Sequence, residues 1–584
     1  MAKTWRFFPY DEARVRSFCQ SLHVSPLTAQ VLIARGMSTP ADGKRFLETK
    51  LTDLHDPSLL PGVPEAADRV VSAVRGSRKV TIYGDYDVDG VTATSLLWNC
   101  LKLAGAEVDY YIPCRLEEGY GLNCEAIRQL AESDPKQLVI SVDCGICSIE
   151  EAALAKELGL ELIITDHHQF EDELPDAACL VHPRLPGTSY PFADLCGVGV
   201  AFKLAWAICV QLGDGERADE PLREFLKSAV GLTAIGTVAD VVPLLGENRT
   251  LVRYGLGSLA QRSSIGLQSL MTLAGLEIGQ SLDAEDIAFG IAPRLNAAGR
   301  LGQARLAVEL LTTTNRDRAT QLAQYLEELN RNRRTVERRI FKSAKDMVEE
   351  NPEWADQHAL VLADASWHAG VIGIVASRIA ETFEKPTILM TIDRNEGVAH
   401  GSGRSFGGYN LYDGLVSCSG LLERFGGHHA ACGLHVAEDK LDEFREQLSQ
   451  HASTHQVPRE VGEIRIDAEV RLTDVTRNGV KELDRLGPFG EQNPRPVFAA
   501  NRVELAAPPK TMGEGGRHLD LRIRQHGTSL RAIAFGRGEW AEEIAAVNGT
   551  IDIGFTAGIN RFRGRENVEL RLEDWQPSPP TTNA

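Results

Sequence analysis

The sequence predicts two α/β domains joined by one long charged helix and followed by a small β-barrel. Three observations carry that expectation. Short apolar runs alternate with helical stretches between about 65 and 190, the alternation resumes after Asn351-Pro352, and long helical periods stop beyond about 460. Strand–helix alternation argues for parallel sheets wrapped by helices, whereas evenly spaced short strands argue for a barrel.

Residues 1–60 read as a helical lead-in punctuated by Pro57 and Pro61-Gly62. The first α/β domain spans 61–315, with strands expected at 79–83, 108–113, 137–142, 161–165 and 178–182 and mostly helix from 198 to 310. A single charged helix over 316–352 is a rigid connector. The second α/β domain, 353–458, opens with a strand at 359–363 and a helix at 370–381. Its glycines cluster at 401–408 and 426–433, which reads as loops where backbone approaches something closely. From 459 to 576 the short β runs have the spacing of a small barrel of the oligonucleotide-binding kind. Residues 577–584 are expected to be a disordered tail.

Composition narrows the class. At 584 residues the chain is too long for one core. Its hydrophobic and charged fractions, 43% and 24%, are those of a globular protein. No apolar stretch reaches the length of a membrane span, and the opening residues are not followed by a signal-peptide core, so a soluble intracellular protein is expected. Eleven scattered cysteines suit reduced thiols. Cys144-Gly145-Ile146-Cys147 is a lone pair, without the second pair a zinc site needs. The net charge of −19 argues against whole-surface attraction to nucleic acid but leaves room for a local basic track. Arg331, Arg333, Arg334, Arg338, Arg339, Lys342 and Lys345 form one, interrupted by the single acid Glu337.

The chemistry starts at Gly84-Asp85-Tyr86-Asp87-Val88-Asp89-Gly90, three carboxylates at alternate positions after an apolar run. Alternate residues of an extended chain share a side, so these groups repel one another unless a divalent cation joins them. A calcium loop fails, because its twelfth position is Leu96 rather than Glu. A plain surface turn and a phosphatase nucleophile stay open from this segment alone. Further along, Asp143 follows the run at 137–142, and Asp166-His167-His168 follows 161–165. Carboxyl ends of parallel strands line one edge of an open sheet, where ligands bind. Asp240 ends the apolar run 230–239, where a buried carboxylate is costly unless paired or bound to metal. Five or six Asp with one or two His suit two hard cations about 3.5–4 Å apart sharing a carboxylate. Oxygen-rich ligation favours manganese or magnesium, and the set points to metal-assisted hydrolysis.

These motifs, Asp85-Tyr86-Asp87-Val88-Asp89-Gly90, Val142-Asp143-Cys144-Gly145, Asp166-His167-His168 and Val238-Ala239-Asp240, resemble the four ordered motifs of the DHH phosphoesterase superfamily. Ser402-Gly403-Arg404-Ser405 and Gly426-Gly427-His428-His429-Ala430-Ala431-Cys432-Gly433 resemble its associated DHHA1-type domain. The stretches from Pro113 to Leu122, Ala292 to Arg300, Trp367 to Gly373 and Gly487 to Pro494 narrow the resemblance to the bacterial single-strand-specific 5′→3′ DNA exonucleases of that superfamily. Cys114 and Cys432 depart from it, standing where small or polar residues are expected, beside the motifs rather than in them.

The resemblance implies a parallel-sheet DHH domain over 61–315, the connecting helix, a DHHA1-type domain over 353–458 and an OB-fold-like barrel over 459–576. It implies a two-metal phosphodiesterase that degrades single-stranded DNA from the 5′ end to mononucleotides in repair and recombination, using Mn2+ or Mg2+. One cation falls to Asp87 and Asp143, with Asp85 as a further ligand, and the other to Asp89, Asp143, His167 and Asp240. His168 acts at the scissile phosphate or leaving oxygen, and Asp166 orients its neighbours.

The glycine loops, Gly427 included, are expected to hold the 5′ end with Ser402 and Arg404, with Arg115 reaching it from the first domain and His428 and His429 facing the cleft. Arg294, Asn296, Arg300 and the basic helix are expected to follow the strand. Phe489, Phe498 and Phe562 are candidate stacking platforms, with core packing as the competing reading. The expected partners are single-stranded DNA with a 5′ end, a single-strand-binding protein and a repair helicase, without a membrane, for a monomer in the bacterial cytoplasm at the nucleoid. Two other functions stay open: a DHH phosphodiesterase of short oligoribonucleotides or cyclic dinucleotides, and a non-catalytic scaffold that binds single strands. The first leaves the C-terminal region without a task, and the intact ligands argue against the second.

Overall fold

A computed structural model describes residues 3–115, 118–170, 172–455, 462–562 and 565–579. The chain divides into two compact units, His55–Val242 with Gly246–Arg459, and Met1–Leu54 with Pro243–Leu245 and Glu460–Ala584.

The larger unit is built on a parallel sheet of β1 (Val80–Gly84), β2 (Val108–Tyr111), β3 (Leu138–Val142), β4 (Glu161–Thr165) and β5 (Cys179–Val181), in the order β2-β1-β3-β4-β5. β1 and β3 are buried throughout, which is why they read as continuous apolar runs. Gly84 pairs with Val142 and Val142 with Thr165, so the next residue of each strand, Asp85, Asp143 and Asp166, leaves the sheet at one edge. Chain order reverses between β1 and β3, the switch point where such sheets bind ligands.

Helices α1 (Val88–Leu103), α2 (Gly197–Leu212) and α3 (Glu220–Ala239) pack together beside the sheet, with α4 (Gly246–Arg262) against α3. Beyond α5 (Ala292–Arg300) runs α6 (Arg316–Glu350), the expected connector. Its 35 residues extend about 52 Å at the helical rise. One half buries Ala319, Leu322, Ala323 and Leu326; the other buries Ile340, Ala344 and Val348, which pack with Leu360, Trp367 and Val371. One helix thus contributes to two cores.

The second sheet contains β6 (Leu360–Ala363), β7 (Thr387–Asp393), β8 (Val398–Arg404), β9 (Leu422–Gly427) and β10 (Ala431–Ala437), ordered β9-β10-β8-β7-β6, with α7 (Ala369–Phe383) packed on β7 and β8. Only β6 and β7 are parallel. The glycine clusters expected as loops lie largely in β8, β9 and β10. A Cβ on Gly403 would come 2.5 Å from the Cys432 sulfur and 2.8 Å from Leu411, so glycine here admits close packing across a strand rather than a turn.

In the smaller unit the expected helical lead-in opens instead with a strand, Thr4–Phe7, paired in parallel with Glu463–Ile466. The helices Glu12–Leu22 and Pro26–Ala34 then bury Val15, Phe18, Val31 and Leu32 in one cluster with Phe498, Leu521, Phe555 and Leu570. Phe498–Leu505, Ile551–Phe562, Arg565–Pro577, Thr528–Ala534 and His518–Gln525 pair in that sequence around a partial ring, its last link being Glu504 and Leu505 against Arg524 and Ile523. Phe498 is a core residue and not a stacking platform. Phe489 is half-buried, with Arg495 4.9 Å and Arg35 5.8 Å from its ring. The side chain of Phe562 lies outside the described residues, as do residues 580–584 of the expected tail. Among the described residues no helix is long and apolar enough to cross a membrane.

Candidate metal centre

The carboxyl edge of the first sheet assembles the predicted cage. Asp85 follows β1 and is fully buried. Asp87 caps α1, accepting from the backbone N–H groups of Asp89 (2.9 Å) and Gly90 (3.1 Å). Asp89, in the first turn of α1, accepts from Gly197 N (2.6 Å) and Val198 N (2.8 Å) at the start of α2. That helix is anchored by Lys203, fully buried, whose Nζ lies 2.6 Å from both Glu247 Oε1 and the His55 carbonyl. Asp143 follows β3 at φ 62°, a left-handed conformation uncommon for a non-glycine residue, and donates its N–H to the Thr165 carbonyl.

Asp166, after β4, accepts from the backbone N–H groups of Ile146, His167 and His168 and from Nδ1 of His168 at 2.7 Å. His167 Nε2 lies 3.1 Å from Asp143 Oδ1, 3.6 Å from Asp240 Oδ2 and 3.8 Å from Asp89 Oδ2. Among the described residues, ligand atoms of Asp85, Asp87 and Asp143 lie within 4.8 Å of one another, as do those of Asp89, His167 and Asp240 and those of Asp143, His167 and His168. The structure therefore brings all six predicted ligands together, with Asp143 at the join.

Burial and then mutual repulsion push Asp89 up to about 7 and Asp240 up to about 9, and hold Asp85 and Asp143 well above the carboxylate range. Burial, with the neighbouring His168, pushes His167 down to about 3 and leaves it a neutral donor of electrons. Burial works against both members of the Asp166–His168 pair, but their hydrogen bond and opposite charges prevail. Asp166 stays below the carboxylate range and His168 rises to about 9.

Asp85 Oδ1, Asp143 Oδ1, Asp240 Oδ2 and His167 Nε2 are buried without a hydrogen-bond partner. Orphaned polar atoms are rare and costly, and four in one cage are what divalent cations would satisfy. Oxygen ligands with one imidazole fit Mn2+ or Mg2+.

Three glycines back the ligands, and sequence reasoning gave them no role. A Cβ on Gly90 would come 2.6 Å from that of Asp85, one on Gly197 would come 2.5 Å from that of Asp143, and one on Gly236 would come 2.7 Å from Asp89 Oδ1. Each sits in a helix, where glycine costs about 0.5–1 kcal/mol relative to alanine. That local cost was the one signal available.

The chain matches the DHH family N-terminal domain over residues 79–237, the DHHA1 domain over 356–454 and the RecJ OB domain over 466–574. It is 39% identical over 571 residues to the single-stranded-DNA-specific exonuclease RecJ of Bacillus subtilis, covering 98% of this chain and 70% of that protein. The chain belongs to the RecJ family. The Escherichia coli RecJ is 32% identical, with 94% of this chain and 96% of that one covered. The crystal structure of Thermus thermophilus RecJ in complex with Mn2+ superposes with a TM-score of 0.82 at 31% identity, over 99% of this chain and 80% of that one. A Mg2+ complex of the same protein gives 0.76 at 30% identity, over 99% and 79%.

Within this RecJ-family framework the predicted substrate residues divide. Arg300 is pushed down to about 10 by burial and then by Arg115, Arg333 and Arg404, so these four cations share one space. Arg115 lies 4.9 Å over the ring of Tyr86. Arg404 donates to Ser402 Oγ (3.1 Å) and the Gly403 carbonyl (2.7 Å). His428, lowered by burial and by His429 and Arg404, belongs to the same neighbourhood. Gly427 adopts φ 133° before the exposed His428 and His429. Asn296 is half-buried on α5. Arg294 is otherwise engaged: it is buried, its Nε 2.7 Å from Glu327 on α6, and it also donates to the Gly290 carbonyl. It ties α5 to α6. On the basic helix, Arg331 and Arg333 are paired with Glu327 and Glu337, while Arg334, Arg338 and Arg339 are exposed. A residue given no role in advance, Tyr120, places its hydroxyl 3.0 Å from His168 Nε2.

Proposed function

We propose that this chain hydrolyses single-stranded DNA from its 5′ end, releasing 5′-mononucleotides. The observation that carries the reading is the cage of orphaned buried ligand atoms in a chain of the RecJ family, whose curated relatives are named single-stranded-DNA-specific exonucleases. Asp85, Asp87 and Asp143 would hold one divalent cation, and Asp89, Asp143, His167 and Asp240 the other. Bound there, the pair supplies activation of water and neutralisation of the charge developing on phosphoryl oxygens.

The protein's own groups do the rest. Asp166 takes Nδ1 of His168, which leaves Nε2 to meet a phosphate or leaving oxygen. Arg115, Arg300 and Arg404 with Ser402 Oγ form a receptor for the terminal phosphate, because cations held together attract a dianion. Binding the chain end rather than a base sequence gives an exonuclease its polarity. The reading assigns catalysis to 61–315, end recognition to 353–458, and further strand contact to 459–576. It places a monomer in the bacterial cytoplasm, on strands opened by a repair helicase and coated by single-strand-binding protein.

Single-stranded oligonucleotides labelled at either end, incubated with Mn2+ or with chelator, test it. Mononucleotides released first from the 5′ end, only with metal, are expected. Loss from the 3′ end, or activity confined to dinucleotides, overturns it.

A further inference from the structure

Tyr120 is held against the ring of His168 by several contacts. Its hydroxyl lies 3.0 Å from Nε2 and 3.1 Å from Nδ1 of that ring, and donates toward the Asp143 carbonyl at 3.4 Å. The two rings meet edge-on with centroids 5.6 Å apart, and Tyr86 meets the tyrosine in the same way at 6.2 Å. Arg115 in turn covers Tyr86. Gly119 and Gly121 on either side both adopt positive φ, 84° and 82°, the kind of backbone that lets one side chain be delivered sideways from a tight loop. Despite these contacts the residue is 54% exposed, an expensive place to fix a tyrosine for packing alone.

Asp166 already occupies Nδ1 of His168. The tyrosine hydroxyl, nearly equidistant from both ring nitrogens, braces the ring without settling on either, so Nε2 stays open to a phosphodiester oxygen. We propose that Tyr120 is a positioning residue for His168, bracing a ring that Asp166 already holds at Nδ1 so that Nε2 is presented to the substrate phosphate without searching other rotamers. A positioned group loses less on reaching the transition state than a mobile one, so the contact acts on turnover more than on binding. This rests on the nuclease reading above.

The test compares Tyr120→Phe, His168→Ala and the double variant in the full chain, measuring kcat and KM on 5′-phosphorylated single strands and Mn2+ binding by calorimetry. Tyr120→Phe is expected to lower kcat about tenfold or more, to leave KM within about threefold, and to keep the parent's Mn2+ stoichiometry. In the His168→Ala background the same change is expected to cost nothing further, as coupled residues behave. A kcat near the parent's, a loss confined to KM, or a full loss persisting without His168 overturns the proposal. Ring 15N shifts of His168 read the contact without turnover. They are expected to move in Tyr120→Phe, and unchanged shifts refute the proposal even if the parent proves not to cut DNA.

Discussion

The Nε2 of His167 lies 3.1 Å from Oδ1 of Asp143, and both atoms are buried without a hydrogen bond. With the imidazole held neutral, two electron-rich atoms face each other across a gap that a cation would fill. Asp143 belongs to ligand groups on both sides of that gap. Asp143→Ala is therefore expected to abolish the paired binding of Mn2+ in calorimetry and to lower hydrolysis by about a thousandfold or more, while strand binding, read by fluorescence anisotropy, stays within about threefold. Hydrolysis at the parent rate would remove Asp143 from the centre.

The cage also sets a pH dependence. Without cations the folded protein keeps protons on Asp89 up to about pH 7 and on Asp240 up to about 9, where an unfolded chain has lost them near 3.8. Raised folded-state values give stability that is complete below the unfolded value and drains away as pH climbs through the folded one. His168, raised to about 9, adds the same sign above 6.5, and the lowered His167 acts only below 6.5. Cations displace these protons and bind better as pH rises. The gap in Tm between Mn2+ and chelator should thus widen from about pH 6 to about 8.5. A gap that narrows would contradict the ligand set.

Gly197→Ala supplies a probe that leaves every ligand in place. The new methyl would press on the Cβ and Oδ1 of Asp143. Mn2+ affinity is expected to fall about tenfold, with a fold cost of about 1–3 kcal/mol from overpacking. Gly257 of α4 has nothing within 4 Å of a built Cβ, and Gly257→Ala should instead gain about 0.5–1 kcal/mol. Equal metal affinities in the two variants would show that the glycine backing is incidental.

Arg404→Ala should lose selectivity more than activity. A charged hydrogen bond is worth about 1.5–3 kcal/mol, so KM for a 5′-phosphorylated end is expected to rise about tenfold or more, with 5′-hydroxyl ends little changed. Equal losses on both ends would place the phosphate receptor elsewhere.

For Arg294 the expected damage is to the fold. Breaking its buried pair leaves Glu327 with the exposed Arg331 as its remaining ion-pair partner, a loss of about 3–5 kcal/mol for Arg294→Ala in urea unfolding. The salt dependence of strand binding should keep its slope, since no phosphate contact is lost. A slope reduced by about one at unchanged stability would return Arg294 to the strand.

Much of the cage was legible because its logic is local. Each of Asp85, Asp143 and Asp166 follows an apolar run, and parallel pairing brings the ends of such runs to one edge. Asp240 was marked by an apolar helix ending in a charge. What stayed hidden depends on partners remote in sequence. Arg294 has the pattern of an exposed helical cation until Glu327 arrives from another helix. Gly401 and Gly403 carry the composition of a loop until Leu434 and Cys432 are seen pressing on the strand. Gly197 and Gly236 contribute by lacking atoms, which no motif of side chains records. The strand Thr4–Phe7 is only four residues long, and the partner that fixes it, Glu463–Ile466, lies far along the chain.

That last pairing imposes an order on biosynthesis. Thr4–Phe7 leaves the ribosome long before Glu463–Ile466 exists, while the larger unit carries its own sheet and helices between 55 and 459 and can fold as it emerges. Until the final strands are made, Phe18 and Leu32 have no Phe498 or Phe555 to pack on. A nascent chain halted short of Glu460 would carry an unpaired first strand and two unburied helices, the kind of intermediate that chaperones shelter.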